Sequence, residues 1–489
     1  MSGFNNDDYL KIQVEKQVEN TLKTHSFQGL PAIDIKSDID LLNKDIISLQ
    51  EMVKNKVISY EDIVIFYLNR IKTFEGYNSV LEINDFALDE VKEKYYDDTH
   101  DAMYGIPVLI KGNIGTKRMH TTAGAAALKT FRCDDDADII KKLKARGAII
   151  LGKTNLSEWA NFMSTESSNG YSALGGQTLN PYGPFDVGGS SSGSAVAAAC
   201  QLAPVTIGTE TAGSIIYPAS QNSVVGLKPT LGLLSTNRII PISASHDTAG
   251  PMARTVKDTY YLFRAISSIN QIPHFKKDVL KNTRVGIIIN EPVRSYYREG
   301  DQIILSETAE MLKQSGARVN EISLDMTAFD TKVYDILKYE FREGVEAFLK
   351  LNPEHPMKDL RDIIAFNEKN MEAFAPYNHE IIKQSKEEYY DDKAIKTQIK
   401  VNQNLTRSAL NKALEKVDVL MTLSNYCTSV YAPAGYPAIN IPGTYRSNGE
   451  PVGITLICKS GDDIKLLEYA YAYETILKRK NPNIERSTN

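Results

Sequence analysis

Short apolar runs bounded by glycine alternate with amphipathic helical segments along the 489 residues of this chain, and that alternation limits the folds open to it. LEIND (81–85), YGIPVLIKGNI (104–114), AIIL (148–151), VDVLMTL (417–423), PAINIP (437–442) and GITLIC (453–458) have the length and bounding residues of buried strands. Between them, Ser59–Tyr60–Glu61–Asp62 is a capping signal that opens a helix whose Ile63, Phe66, Tyr67 and Ile71 share one face. DADIIKKLKARG (135–147 with its leading Asp) reads as a helix closed by Gly147, and TRVGIIIN, SETAEMLKQSG and ARVNEISL make a βαβ pattern (283–324). The last helix is expected through LLEYAYAYETILKR. Strands and helices interleaved in this way predict one large α/β domain over 36–489, with a mixed sheet of about ten strands between helices. Residues 1–35 are polar and read as a loosely held arm, and 325–415 as a largely helical insertion. Within the insertion, the charge run KQSKEEYYDDK (383–393) is expected to be a solvated helix face.

Composition removes several function classes. A net charge of −5 gives no electrostatic reason to expect a nucleic-acid partner. No apolar run is long enough to cross a bilayer, and MSGFNNDDYLKIQVEKQ lacks the apolar stretch of a signal peptide. Cys133, Cys200, Cys427 and Cys458 are scattered, form no C-x-x-C pair and read as reduced core thiols. A cytoplasmic location is expected. Asp134, Asp135 and Asp136 lead into a helix, where acidic residues are favoured anyway, so no metal site is expected there.

The stretch from 185 to 230 carries the chemistry. Two Gly/Ser turns, Gly188–Ser194 and Gly208–Ser214, flank the Ala-rich AVAAACQLA and the apolar PVTI. A serine bounded by glycine can be exposed on a sharp turn, with backbone N–H groups facing one point in space. Neither loop ends in the G-K-[ST] of a phosphate-binding P-loop. Gly189–Ser190–Ser191–Ser192–Gly193 formally matches the G-x-S-x-G elbow of α/β-hydrolases, which needs a later Asp and then His. His274, His355 and His379 come later, in polar, helical or proline-flanked stretches unlike a strand-end loop, and His246–Asp247 run in the wrong order. With no histidine well placed, a lysine must supply the base. It must be neutral to do so, and Lys111, embedded in the apolar GIPVLI strand, would lose the hydration that favours its charge.

GGSSSGSAVA, GTETAGSIIYPAS and NSVVGLKPTLGLL together resemble the amidase signature, and YGIPVLIKGNI is similar to the strand that bears the catalytic lysine of that family. GKTNLSEWANF, GGQTLNP, DTAGPM and AGYPAINIPG…GEPVGITLI fall in family order, and GTET, TTAG (121–124) and DTAGPM resemble its bacterial peptide-amidase-like branch. The resemblance implies the amidase signature fold, with the site at the sheet edge and no cofactor or metal. It implies Ser214 as nucleophile, Ser190 as a bridging serine with a cis peptide, Lys111 as base, and the backbone N–H groups of Thr211, Ala212, Gly213 and Ser214 as oxyanion hole. Trp159, Phe162, Met163 and Tyr431 are the expected substrate-binding residues of a monomer or homodimer acting on a small-molecule or peptide amide. Gly112 stands where many members have Asp, and Glu210, Ala212 and Ile216 replace Asp, Gly or Asp, and Arg. An Asp restored at 112 is expected to be tolerated. Two other readings keep the fold. One is the glutaminase-like component of a tRNA-dependent amidotransferase, against which the missing Arg at Ile216 argues. The other is a catalytically impaired member that binds a small amide.

Overall fold

The computed structural model describes residues 41–325 and 333–482, so the expected N-terminal arm lies outside the described residues. Thirteen strands are described: β1 Val80–Ile83, β2 Pro107–Lys111, β3 Ile149–Thr154, β4 Tyr171–Ser172, β5 Gly176–Gln177, β6 Val205–Glu210, β7 Val225–Lys228, β8 Thr248–Ala253, β9 Arg284–Ile288, β10 Arg318–Ile322, β11 Val419–Leu423, β12 Ala438–Ile441 and β13 Ile454–Ile457. Eleven of them form one sheet in the order β1-β3-β2-β6-β8-β7-β12-β13-β11-β9-β10. The β3-β2-β6 block is parallel, as is β11-β9-β10, and the strands between are antiparallel, so the sheet is mixed. The βαβ pattern holds: β9 and β10 pair in parallel across the helix Asp301–Gln314.

The helix Ser192–Ala199 is buried at every residue and packs on β2, β3, β6 and β8. Its SGSAVAAA sequence allows this, because no side chain is larger than valine and the backbone can approach the sheet closely. The helix Tyr60–Thr73 carries the full capping box at Ser59 and Asp62, and it buries Ile63, Tyr67 and Ile71. Phe66, expected on the same face, is only partly buried.

The register of the central block fixes where chemistry can occur. Because β3, β2 and β6 run parallel, their C-terminal residues Thr154, Lys111 and Glu210 come to one end of the sheet. β8 runs the other way, with Thr248 opposite Glu210, so Asp247 arrives at the same end from its N-terminal side. The resemblance implies a site at the sheet edge. Lys111, which the resemblance places in that site, stands at the C-terminal end of an interior strand.

The insertion is helical in its described part, through Val333–Leu349, Leu360–Asn367, Met371–Phe374, Glu380–Glu387 and Asp392–Leu414. The run 383–393 is not one solvated face. Its helix stops at Glu387, and Lys386 pairs with Glu346 at 2.7 Å and Asp359 at 3.2 Å, while Glu388 accepts from Lys338. These pairs tie three helices of the insertion together. No described helix is long and apolar enough to cross a membrane. All four cysteines are buried and unbridged.

Candidate active site

Lys111 ends β2 fully buried, and its Nζ donates to Ser190 Oγ at 2.8 Å and to Thr209 Oγ1 at 2.9 Å, with the Thr209 carbonyl at 3.3 Å. Both hydroxyls and the carbonyl are neutral. Burial therefore governs the ammonium, pushing its pKa down from 10.5 to about 7 against the opposing pull of the Asp247 and Glu210 carboxylates. The Gly189–Ser190 peptide is cis.

The serine at the centre of the formal elbow, Ser191, is committed elsewhere. Its Oγ donates to the Thr209 carbonyl at 3.0 Å and accepts from Thr209 N–H at 3.1 Å, so it staples two backbones. No histidine contacts it among the described residues. His246 bonds through Nδ1 to Ser243 and Ser245, and burial lowers its pKa to about 4. The α/β-hydrolase elbow is therefore not formed.

The second turn carries Ser214. Gly213 has φ +91°, which a side chain would strain, and it turns the chain from β6 into the helix Ile216–Gln221. Ser214 is half-buried, and its carbonyl accepts from Ser191 N–H at 3.1 Å, joining the two Gly/Ser loops. The N–H groups of Ala212, Gly213 and Ser214 donate to no other group among the described residues. Glu210 accounts for one departure from the family pattern. Its Oε2 accepts from Ile215 N–H at 2.7 Å and Ile216 N–H at 2.9 Å, bracing the turn just after Ser214. Thr211 is held from outside the turn, its hydroxyl donating to Asp247 Oδ1 at 2.6 Å. Asp247 Oδ2 also accepts from Ile242 N–H at 2.8 Å and Ser243 N–H at 2.9 Å, while burial raises its pKa to about 6.

Gly112 accounts for a second departure. A Cβ there would stand 2.9 Å from Leu81 Cδ1 and 3.1 Å from the Thr154 carbonyl oxygen, so the lysine loop has closed onto β1 and β3. An Asp at 112 would require the Leu81 side chain and the Thr154 carbonyl to give way, a cost the sequence did not announce.

A small pocket adjoins Thr209 and Thr211, walled by Asn113, Asp247, Ile240 and Ile242 among others. None of the four residues expected to bind substrate is among those lining this pocket. Trp159 and Phe162 pack edge-on against Phe341 of the insertion, and Met163 belongs to the same buried cluster. Tyr431 is fully buried in another cluster beside Glu210, where burial holds its phenol well above the usual value. The pocket residues Asn113, Thr209 and Asp247 are not singled out as site residues by the sequence, although DTAGPM contains Asp247 and GNI contains Asn113.

The Amidase family profile matches residues 62–430. An Arabidopsis thaliana protein named as a probable amidase is 33% identical over 487 residues, covering 92% of this chain and 93% of that protein. A glutamyl-tRNA(Gln) amidotransferase subunit from Sulfurihydrogenibium sp. is 30% identical, covering 90% of this chain and 98% of that protein. The native peptide amidase of Stenotrophomonas maltophilia superposes with a TM-score of 0.83 at 34% identity, covering 91% of this chain and 99% of that one. The chain belongs to the amidase family of hydrolases, which act on amides, and it has the amidase signature fold.

Proposed function

We propose that this chain hydrolyses a carboxylic or peptide amide C–N bond through Ser214, Ser190 and Lys111 and an acyl-enzyme. The observation that carries the reading is the buried Lys111 Nζ, 2.8 Å from Ser190 Oγ, with its pKa held near 7. A neutral Lys111 takes the Ser190 proton as Ser190 takes that of Ser214, and Ser214 Oγ attacks the amide carbonyl. The N–H groups of the Thr211–Ser214 turn receive the developing oxyanion. The proton returns through Ser190 to the departing nitrogen, the C–N bond breaks, and water then attacks the ester along the same relay to release the acid. No metal or cofactor enters this sequence, and the reading has the protein acting as a monomer or homodimer in the cytoplasm.

A fluorophosphonate probe should label Ser214. Ser214→Ala should abolish labelling and lower kcat on the order of 10³-fold or more. Labelling that survives in Ser214→Ala would refute the assignment. The amidotransferase relative, similar over nearly its whole length, keeps a second reading in play, that of a glutaminase-like component of a larger complex. Turnover of simple amides by the purified chain alone, with glutamine a poor substrate, decides against it. Turnover of glutamine only, and only with partner proteins, decides for it.

A further inference from the structure

The pocket beside the Thr209–Thr211 turn has a polar wall of Asn113, Asp247 and four threonines. Asn113 is almost fully buried, and its Nδ2 donates to Thr209 Oγ1 at 3.1 Å and to the Ile240 carbonyl at 3.3 Å. Those two bonds fix the amide orientation, and the opposite atom, Asn113 Oδ1, is buried with no partner. Buried acceptors are rarely left unmatched, so the site as built asks for a donor. Thr211 spends its hydroxyl proton on Asp247 and turns only lone pairs outward. Asp247 is half-buried, and no arginine, lysine or histidine is among the residues lining the pocket. The remaining wall is apolar, chiefly Ile239, Ile240 and Ile242.

A carboxylate or phosphate would meet the Asp247 charge and find only threonine hydroxyls as side-chain donors there, with no cation among the lining residues. A methyl group would leave Asn113 Oδ1 unmatched. An amino group satisfies both conditions, because an ammonium offers up to three N–H donors and the opposite charge. The place suggests which amino group. Thr211 lines the pocket and begins the turn expected to hold the oxyanion, so the pocket adjoins the end of the substrate that carries the scissile amide in the proposed reading.

We propose that this pocket is a subsite for the amino group of the substrate, taken as an ammonium by Asn113 Oδ1 and Asp247, and that the protein prefers amides of α-amino acids to purely aliphatic amides. The inference rests on the amidase reading of the adjoining serines and lysine. A bound ammonium also serves the reaction, since a second positive charge nearby disfavours the charged form of Lys111 and helps to keep the base neutral.

The test is kcat/KM for matched amides with the full chain: leucinamide against N-acetyl-leucinamide and 4-methylpentanamide, and alaninamide against propionamide. A site built around a hydrogen-bonded group rejects the analogue that lacks it, and a preference of about 10²-fold or more for each free-amine amide is expected. Asp247→Asn and Asn113→Leu, each verified as folded by thermal melting, should collapse that ratio toward one. The rate of Ser214 labelling by the fluorophosphonate, which has no amino group, reports separately on the nucleophile. Equal rates for leucinamide and 4-methylpentanamide overturn the subsite while leaving the amidase reading intact. So does a preference for the N-acetyl compound, which cannot carry the charge. Absence of both hydrolysis and Ser214 labelling overturns the two readings together.

Discussion

Lys111 offers the sharpest test, because activity and stability both depend on its proton and both favour the neutral amine. A pKa lowered from 10.5 to about 7 corresponds to about 5 kcal/mol of differential solvation between the charged and neutral forms. With that value, about half the molecules hold a neutral base at pH 7, against roughly one in 3,000 for an ordinary lysine. The reaction needs the neutral form, so kcat/KM should rise with pH through 7 and flatten above it, gaining about tenfold between pH 6 and 8. An unshifted lysine would give about a hundredfold over the same interval and still be climbing at pH 8. Lys111→Arg should be inactive at every pH, since guanidinium keeps its proton. For stability, the folded pKa lies below the unfolded one, so between about pH 7 and 10.5 the unfolded chain binds more protons than the folded chain. The full penalty therefore applies below pH 7 and is relieved as pH rises from 7 to 10.5. Lys111→Met should be more stable than wild type in urea at pH 6, by less than about 5 kcal/mol because hydrogen bonds to Ser190 and Thr209 are lost, and the gain should shrink by pH 9.5. Burial also lowers Lys153 and Lys228 to about 8, but these groups are common to both proteins and drop out of the comparison. An active Lys111→Arg enzyme, or a kcat/KM profile still rising at pH 9 with no stability gain in Lys111→Met, would refute the reasoning.

Three further outcomes are expected. Ser190→Ala should fold and lower kcat by about 10²–10³-fold, because the relay between Lys111 and Ser214 is broken; an unchanged kcat would make Ser190 a turn residue only. Gly112→Asp should destabilise the protein by about 1–3 kcal/mol through contact with Leu81 and the Thr154 carbonyl, read as a drop in urea midpoint at constant slope, and an unchanged midpoint would show that the loop yields. Glu210→Ala strips the acceptor from two buried N–H groups and should cost about 1–3 kcal/mol while lowering kcat more than it changes KM, whereas a pure stability loss would confine Glu210 to bracing the fold.

The parts of this site that could be read from sequence are those encoded within one segment. The run 104–114 contains β2, which starts and ends three residues inside it; AIIL (148–151) covers the first part of β3, which continues to Thr154; and the apolar PVTI opens β6, with Ser214 between that strand and the helix Ile216–Gln221. Lys111 was legible because one strand supplies both the residue and the apolar surroundings that strip its hydration. Asn113, Thr209 and Asp247 come together only through register. The parallel pairing of β2 with β6 sets Lys111 and Asn113 beside Thr209, and the antiparallel pairing of Glu210 with Thr248 delivers Asp247 to the end of β6. No local pattern announces a pairing between segments so far apart. The surroundings of the aromatic residues were hidden for a related reason. Trp159, Ala160 and Asn161 all take φ between +53° and +69°, a left-handed turn that tryptophan and alanine rarely adopt, and Trp159 ends up packed on Phe341 of the distant insertion. Glu210 and Gly112 depart from the common family pattern, yet each fits its neighbours: the longer carboxylate reaches two N–H groups just after Ser214, and the missing side chain lets the lysine loop close on β1 and β3. A departure from a motif becomes interpretable once the atoms it touches are known: at 210 two N–H groups gain an acceptor, and at 112 the space a side chain would need is taken by Leu81 and the Thr154 carbonyl.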